Sequence, residues 1–301
     1  MNNICISIIL VFSILAFSSN SYGQDTFPVL EDPYFGLKPP SLMPKLFDPK
    51  ILSPEGRFDA GWFSPDMKEF YFTRRGGKDN KRTFFVIRYE NNNWGKESET
   101  DIKWPHFSAD GNILYSGKEY RERTDKGWSE PKSLGEILKK TAHGLSVSAN
   151  GTYYFPLFEN EKEFYSGHGK LSYSRLINGQ YASPVTLSKD MNAGKWIAHP
   201  YIAPDESYLI WDVVREGGYG QSDLYISFKQ EGESWASPIN MGPKINTNFQ
   251  ESAPQVTHDG KYLFFSRGDW KVEEDGSRHY VSKKYWVDTK VIDNLKPKNN
   301  T

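Results

Sequence analysis

The feature that most constrains this chain is a short pattern that returns five times. Phe63-Ser-Pro-Asp66, Phe107-Ser-Ala-Asp110, Val147-Ser-Ala-Asn150, Ile202-Ala-Pro-Asp205 and Val256-Thr-His-Asp259 each set an Asp or Asn in a turn between two apolar runs. Gly111, Gly151 and Gly260 follow three of them. Such a turn needs a residue at positive φ, and Gly adopts it without steric cost. A strand-like run comes next each time: Glu69 to Phe72, Ile113 to Tyr115, Tyr153 to Phe155, Tyr208 to Trp211 and Tyr262 to Phe265. Each unit therefore opens with a hairpin. The turn residues lie 44, 40, 55 and 54 positions apart, the spacing at which four-stranded units recur in circular arrays.

A second landmark follows the hairpins at Trp94, Trp128, Tyr181 and Trp235, the last three leading to Pro131, Pro184 and Pro238. Phe84 to Arg88 and Asp223 to Ser227 read as third strands, and the segment after each Pro reads as an outer strand, where a missing N–H is tolerated. The fifth unit lacks its own Pro-led segment. Pro49 to Leu52 resembles Pro184 to Leu187 and Pro238 to Met241, so it is expected to supply that strand and close the ring, hiding the open edges. The pattern predicts an all-β propeller of five four-stranded blades, six being the alternative. The expected division is a leader at 1–23, an extension at 24–48 and the propeller at 49–301. The second unit, where Trp128 follows Asp110 by only 18 positions, should be stunted.

The Ser-Pro-Asp-Gly-like hairpin, the run Asp223-Leu-Tyr-Ile-Ser227 and the spacing Trp235 to Pro238 together resemble the WD40-like repeat of the TolB-type β-propellers, the PD40 family. The resemblance runs from about Pro49 to Lys296. It implies a propeller and, by analogy with those proteins, a role as an envelope interaction module. Met67 stands where the pattern has Gly, and Asn150 where it has Asp.

The run Ile4 to Phe17 is apolar and uncharged, ends before the small-residue pattern Ser21-Tyr22-Gly23, and is shorter than the ~20 residues that span a bilayer. It reads as a secretory leader cut near Gly23, which predicts a periplasmic or secreted protein. Cys5 is the one cysteine, so the exported chain would carry no disulfide and no thiol nucleophile. With 37 Lys and Arg against 38 Asp and Glu, the basic excess of a nucleic-acid binder is missing. Aromatic residues make up 15% of the chain, which suits half-buried sheet surfaces. A monomer is expected.

The turn acids Asp66, Asp110, Asp205 and Asp259 could be metal ligands, but Asp in a turn ordinarily accepts local backbone hydrogen bonds. No metal or other cofactor is expected. If the strand before each turn is innermost, residues six or seven before the acid and eight after it end on one face of the ring. The first set is Asp59, Trp104, His143 and His199, with Trp196 and Glu251 further out; the second is Arg74, Lys118, Phe158, Val213 and Arg267. Arg74, Lys118, Arg267, Trp104, Trp196 and Glu251 are thus the expected ligand-binding rim, suited to an acidic glycan or an envelope protein. The plainer expectation pairs those cations with Glu119, Asp269 or Asp59. His143 and His199 are the candidates for proton transfer; with Glu251 they could ligate a metal, but no short metal motif joins them. The Gly-rich loops around His168 and at Glu216 to Gly220 have no readable helix, which argues against a phosphate site. The leading expectation is an exported, non-catalytic propeller that binds through its channel rim. The alternative is a lyase or hydrolase for acidic polysaccharide, with His143 or His199 as base, Tyr201 as acid, and Arg74 or Arg267 neutralising the carboxylate.

Overall fold

The computed structural model describes residues 34–52, 58–76, 81–135, 144–272 and 276–297. The expected leader and His143 lie outside the described residues. The chain is a five-bladed β-propeller. Blade 1 comprises Phe58–Phe63, Glu69–Gly76 and Lys81–Glu90, with an outer edge split between Asn93–Trp94 and Ser98–Glu99. Blade 2 has Pro105–Phe107, Ile113–Ser116 and Glu119–Thr124 with short outer pieces, and is the stunted unit its spacing predicts. Blade 3 is Ser146–Val147, Tyr153–Leu157, Lys170–Ser174 and Val185–Thr186; blade 4 is Lys195–Ile202, Tyr208–Val214, Asp223–Phe228 and Ile239–Asn240. Every neighbouring pair within these sheets is antiparallel.

The recurring turn has one chemistry. Asp66, Asp110, Asn150, Asp205 and Asp259 each accept the backbone N–H two residues on, and each also accepts a Ser or Thr hydroxyl. The residue after the acid has positive φ in all five blades: Met67 58°, Gly111 71°, Gly151 82°, Glu206 59° and Gly260 71°. For Met67 and Glu206 that conformation costs about 1–2 kcal/mol. Met67 offsets it by burial in the core, and Glu206 by bonds from Lys229 (3.3 Å) and the Tyr154 hydroxyl (3.2 Å).

Ring closure is real, but another segment supplies it. Blade 5 consists of Gln250–Val256, Tyr262–Val272 and Arg278–Asp288, and its fourth strand is Lys45–Leu46, which pairs with Trp286 and Tyr285. The pairing continues to Phe47, whose N–H donates to the Lys284 carbonyl at 2.8 Å. Pro49 to Leu52, the sequence-based candidate, instead turns back on itself and buries Leu52 in the core. The reason is aromatic: Tyr34, Phe35 and Phe47 pack with Phe63, Phe70, Phe264 and Trp286 and draw the earlier segment into the last sheet. The Tyr34 hydroxyl donates to Asp259 at 2.9 Å, tying residue 34 to the blade 5 turn.

Five buried clusters fill the five seams. Trp62, Tyr71 and Leu114 lie between blades 1 and 2, and Tyr115, Val147 and Tyr153 between 2 and 3. Tyr154, Ile197 and Trp211 lie between 3 and 4, Ile226 and Phe265 between 4 and 5, and the closing cluster between 5 and 1. Each fully buried large side chain contributes roughly 1.5–3 kcal/mol, so the seams hold the ring and set the axial channel.

One loop differs from expectation. The segment before His168 forms a short helix, Glu161–Ser166, capped by the Asn160 side chain on the Glu163 N–H (3.1 Å) and ended by Gly167 at φ 72°. Among the described residues no helix is long and apolar enough to cross a membrane.

Candidate functional site

The five inner strands enclose a cavity of about 740 Å³ along the ring axis. At one end it is lined by the residues just before the turn acids, among them Pro65, Ala109, Pro204 and His258; at the other it opens past Arg82, Trp104, Lys118, Trp270 and Tyr280. The charged and titratable side chains lining it are Arg82, Lys118, Lys284, His106, His199 and His258 with Tyr201 and Tyr280, and no carboxylate lines it among the described residues. Its field therefore favours anions.

The opening end is built from irregular backbone. Six residues before the turn acid, Trp104 (φ 51°), Gly144 (90°), His199 (43°) and Ala253 (51°) all occupy the left-handed region. In blades 4 and 5 the pairing register slips there, between Ala198 and Tyr201 and between Ser252 and Gln255. Bulges of this kind re-aim side chains at functional sites. A Cβ on Gly144 would lie 3.2 Å from the His199 Cα, so glycine is what lets blade 3 approach this histidine.

The bulge sets His199 against blade 4's second strand, where its Nδ1 lies 2.9 Å from Asp212 Oδ1. Asp212 is buried and also accepts the Ala253 N–H of blade 5 at 3.1 Å. Burial alone would lower the His199 pKa, but the Asp212 charge and hydrogen bond more than offset it and leave it raised. His106 moves the other way, to about 4, by burial and by its proximity to His199. Lys284, on blade 5's third strand, is buried, and desolvation brings its pKa down to about 7. Its register partners are Ser266 and then Ser252, whose short side chains give the lysine a path to the channel wall, where Nζ lies 3.5 Å from the Ala253 carbonyl. Burial also raises the Tyr280 hydroxyl to about 12 and pushes the Tyr201 hydroxyl well up.

Around the opening stands a fringe of rings. Among the described residues the exposed large aromatic ones are Trp104, Tyr165, Trp196, Tyr219, Phe249 and Trp270; all six lie where inner strands begin or second strands end, and Trp104 and Trp270 line the cavity. Trp104 carries Arg82 over its ring at 4.7 Å and meets Trp62 edge-on at 5.4 Å. Trp196 lies against Gly167, whose carbonyl accepts its N–H at 2.7 Å.

The structure gathers Trp104, Lys118, His199 and Tyr201 at the cavity and Trp196 at its fringe. It places Arg74 in a two-pronged pair with Glu97 (2.7 and 2.8 Å), with a further bond to the Leu52 carbonyl. It places Arg267 on buried Glu251 at 2.7 Å and on the Ile245 carbonyl at 2.9 Å. Neither arginine lines the cavity; the acids named here, Glu97 and Glu251, come from their own blades, and the Asp59 side chain lies outside the described residues. The cause is strand parity, since successive side chains alternate faces. The position eight past the turn acid gives Arg74, Val213 and Arg267 on the sheet face toward the preceding blade, whereas the seventh gives Asp212 and Ser266 on the opposite face, behind His199 and Lys284. Lys118 escapes the rule because blade 2 is short, so it sits in the hairpin tip between Ser116 and Glu119. Sequence reasoning missed Asp212, Lys284, His106, His258 and Arg82; for Asp212 a count of seven was the available signal.

No family model matches the chain, and neither does any curated protein. Among solved structures it is similar to TolB from Acinetobacter baumannii, at 12% identity and a TM-score of 0.45, over 76% of this chain and 57% of that one. It is similar to the β-propeller domain of the Trilobed protease from Pyrococcus furiosus at 12% identity and a TM-score of 0.39, over 75% and 81% of the two chains. An α-L-arabinofuranosidase from Clostridium thermocellum gives 12% and 0.42 over 76% and 95%. The chain thus spans little more than half of TolB, and likeness at this level extends to the propeller architecture alone.

Proposed function

We propose that the protein is an exported, non-catalytic propeller that binds a glycan at the aromatic-fringed end of its channel. The observation that carries this reading is that two exposed rings, Trp104 and Trp270, line a cavity whose charged lining among the described residues is cationic, with further exposed rings at the strand ends of the same face. Rings stack on the apolar faces of sugars, and cations hold acidic substituents. The leader-like run Ile4 to Phe17 supports export. Isothermal titration against a panel of neutral and acidic oligosaccharides tests the reading: Trp270→Ala and Trp104→Ala should each weaken binding at least fivefold. A panel with no binder, or binding indifferent to both changes, overturns it.

A second reading, a lyase for uronate-containing glycan, is favoured by the Asp212–His199 pair. Asp212 holds Nδ1, so Nε2 would take the proton beside a uronate carboxylate, and Tyr201 would supply one to the leaving oxygen. A new absorbance from an unsaturated product, lost in His199→Gln, would establish it over pure binding.

A further inference from the structure

Lys284 lines the channel while almost wholly withdrawn from water, and its ammonium makes one long contact, 3.5 Å to the Ala253 carbonyl. No carboxylate reaches it among the described residues. His199 of blade 4, backed by Asp212, interacts with it electrostatically, and Tyr280 on its own strand and His106 on blade 2 line the same cavity. Asp212, the one acid of this group, is engaged by His199 and by the Ala253 N–H. His199 and Lys284 repel each other when both are charged, as do His199 and His106. A buried ammonium without a counter-charge is costly, and proteins ordinarily remove it or pair it. Here the channel wall presents cationic donors toward a cavity without an acid in its lining among the described residues.

We propose that the channel wall where blade 4's His199 and blade 5's Lys284 both line the cavity is a carboxylate subsite, in which the two together hold the acid group of a uronic acid residue. The inference rests on the glycan reading for the rest of the ligand but not for the subsite itself. A planar carboxylate offers one oxygen to each donor, and its charge supplies the partner that Lys284 lacks. Binding should take up a proton above pH 7, because an arriving anion recharges the lysine.

The test compares wild type with Lys284→Met, titrated with acetate, glucuronate and a neutral gluco-oligosaccharide. Wild type should bind glucuronate and be competed by acetate; the variant should lose at least tenfold in glucuronate affinity, lose the acetate response and keep the neutral oligosaccharide. Its melting temperature should rise, since Met removes an unpaired buried charge, whereas loss of a merely structural lysine would lower it. If the variant does not fold, His199→Gln should weaken glucuronate and leave the neutral sugar. Wild type indifferent to both acids, or unchanged acid binding in either variant, overturns the subsite. Acid binding without any neutral-sugar binding would retain the subsite and overturn the glycan reading.

Discussion

Two cations on adjacent strands of blade 5 have opposite circumstances. Arg267 pairs across the sheet with Glu251 and Lys283, and Lys284 with Ser266, so the two side chains leave opposite faces of one sheet. Arg267 meets Glu251, the Ile245 carbonyl and the Tyr285 ring at 4.6 Å, while Thr247 donates twice more to the same glutamate. Lys284 has a carbonyl at the limit of hydrogen bonding. The difference teaches which charge the fold needs: the satisfied one stitches a seam, and the unsatisfied one is held at a cost for something outside the chain.

The comparison breaks most decisively at Arg267. Arg267→Ala should lose about 3–5 kcal/mol in denaturant unfolding, because it strands a buried glutamate; a loss under about 1 kcal/mol would place the pair among weak surface bridges. Asp259, another charge with full service, should behave like Arg267 on a smaller scale. Asp259→Ala removes acceptors for Thr257, Lys261 and Tyr34 and should cost about 1–3 kcal/mol by the same measurement.

Lys284 should report itself through pH. Its folded pKa of about 7 lies below the unfolded value, so its destabilisation is absent above the unfolded pKa and grows as pH falls toward 7. Between pH 8 and 9.5 the wild-type stability should therefore rise with pH by about 1.4 kcal/mol per unit relative to Lys284→Met; parallel curves would mean the lysine has a hidden partner. The smallest effect belongs to the fringe. Trp196→Ala, half-exposed at 51%, should change stability by no more than about 0.5 kcal/mol while weakening glycan binding, and a larger melting shift would make that ring structural.

The architecture was legible because its cause is local and repeated: the same acid, hydroxyl and positive-φ residue rebuild one turn five times. Even Met67 and Glu206, which break the glycine pattern, keep its backbone. The closing strand was misplaced by four residues because Pro49 imitates the other outer strands, while the pull of Tyr34 and Phe47 toward Trp286 is a long-range packing effect. The site was legible only in part. Trp104, Lys118 and His199 were reached from strand direction alone, and Tyr201, named only as the acid of the lyase alternative, lies at the same cavity. Asp212 was lost to a one-residue error in parity, and Lys284 because it reaches the channel from the third strand, past two serines that no motif marks.

The clasp between Lys45–Leu46 and the final long hairpin has a temporal consequence. The sheet that receives this early segment includes residues up to Asp288, so as the protein is synthesised Lys45–Leu46 and the aromatic face of blade 1 must wait, uncovered, for almost the entire remainder. Nascent chains in that interval are open to mispairing with one another, and a chaperone would be needed most late in translation, just before the circle can lock.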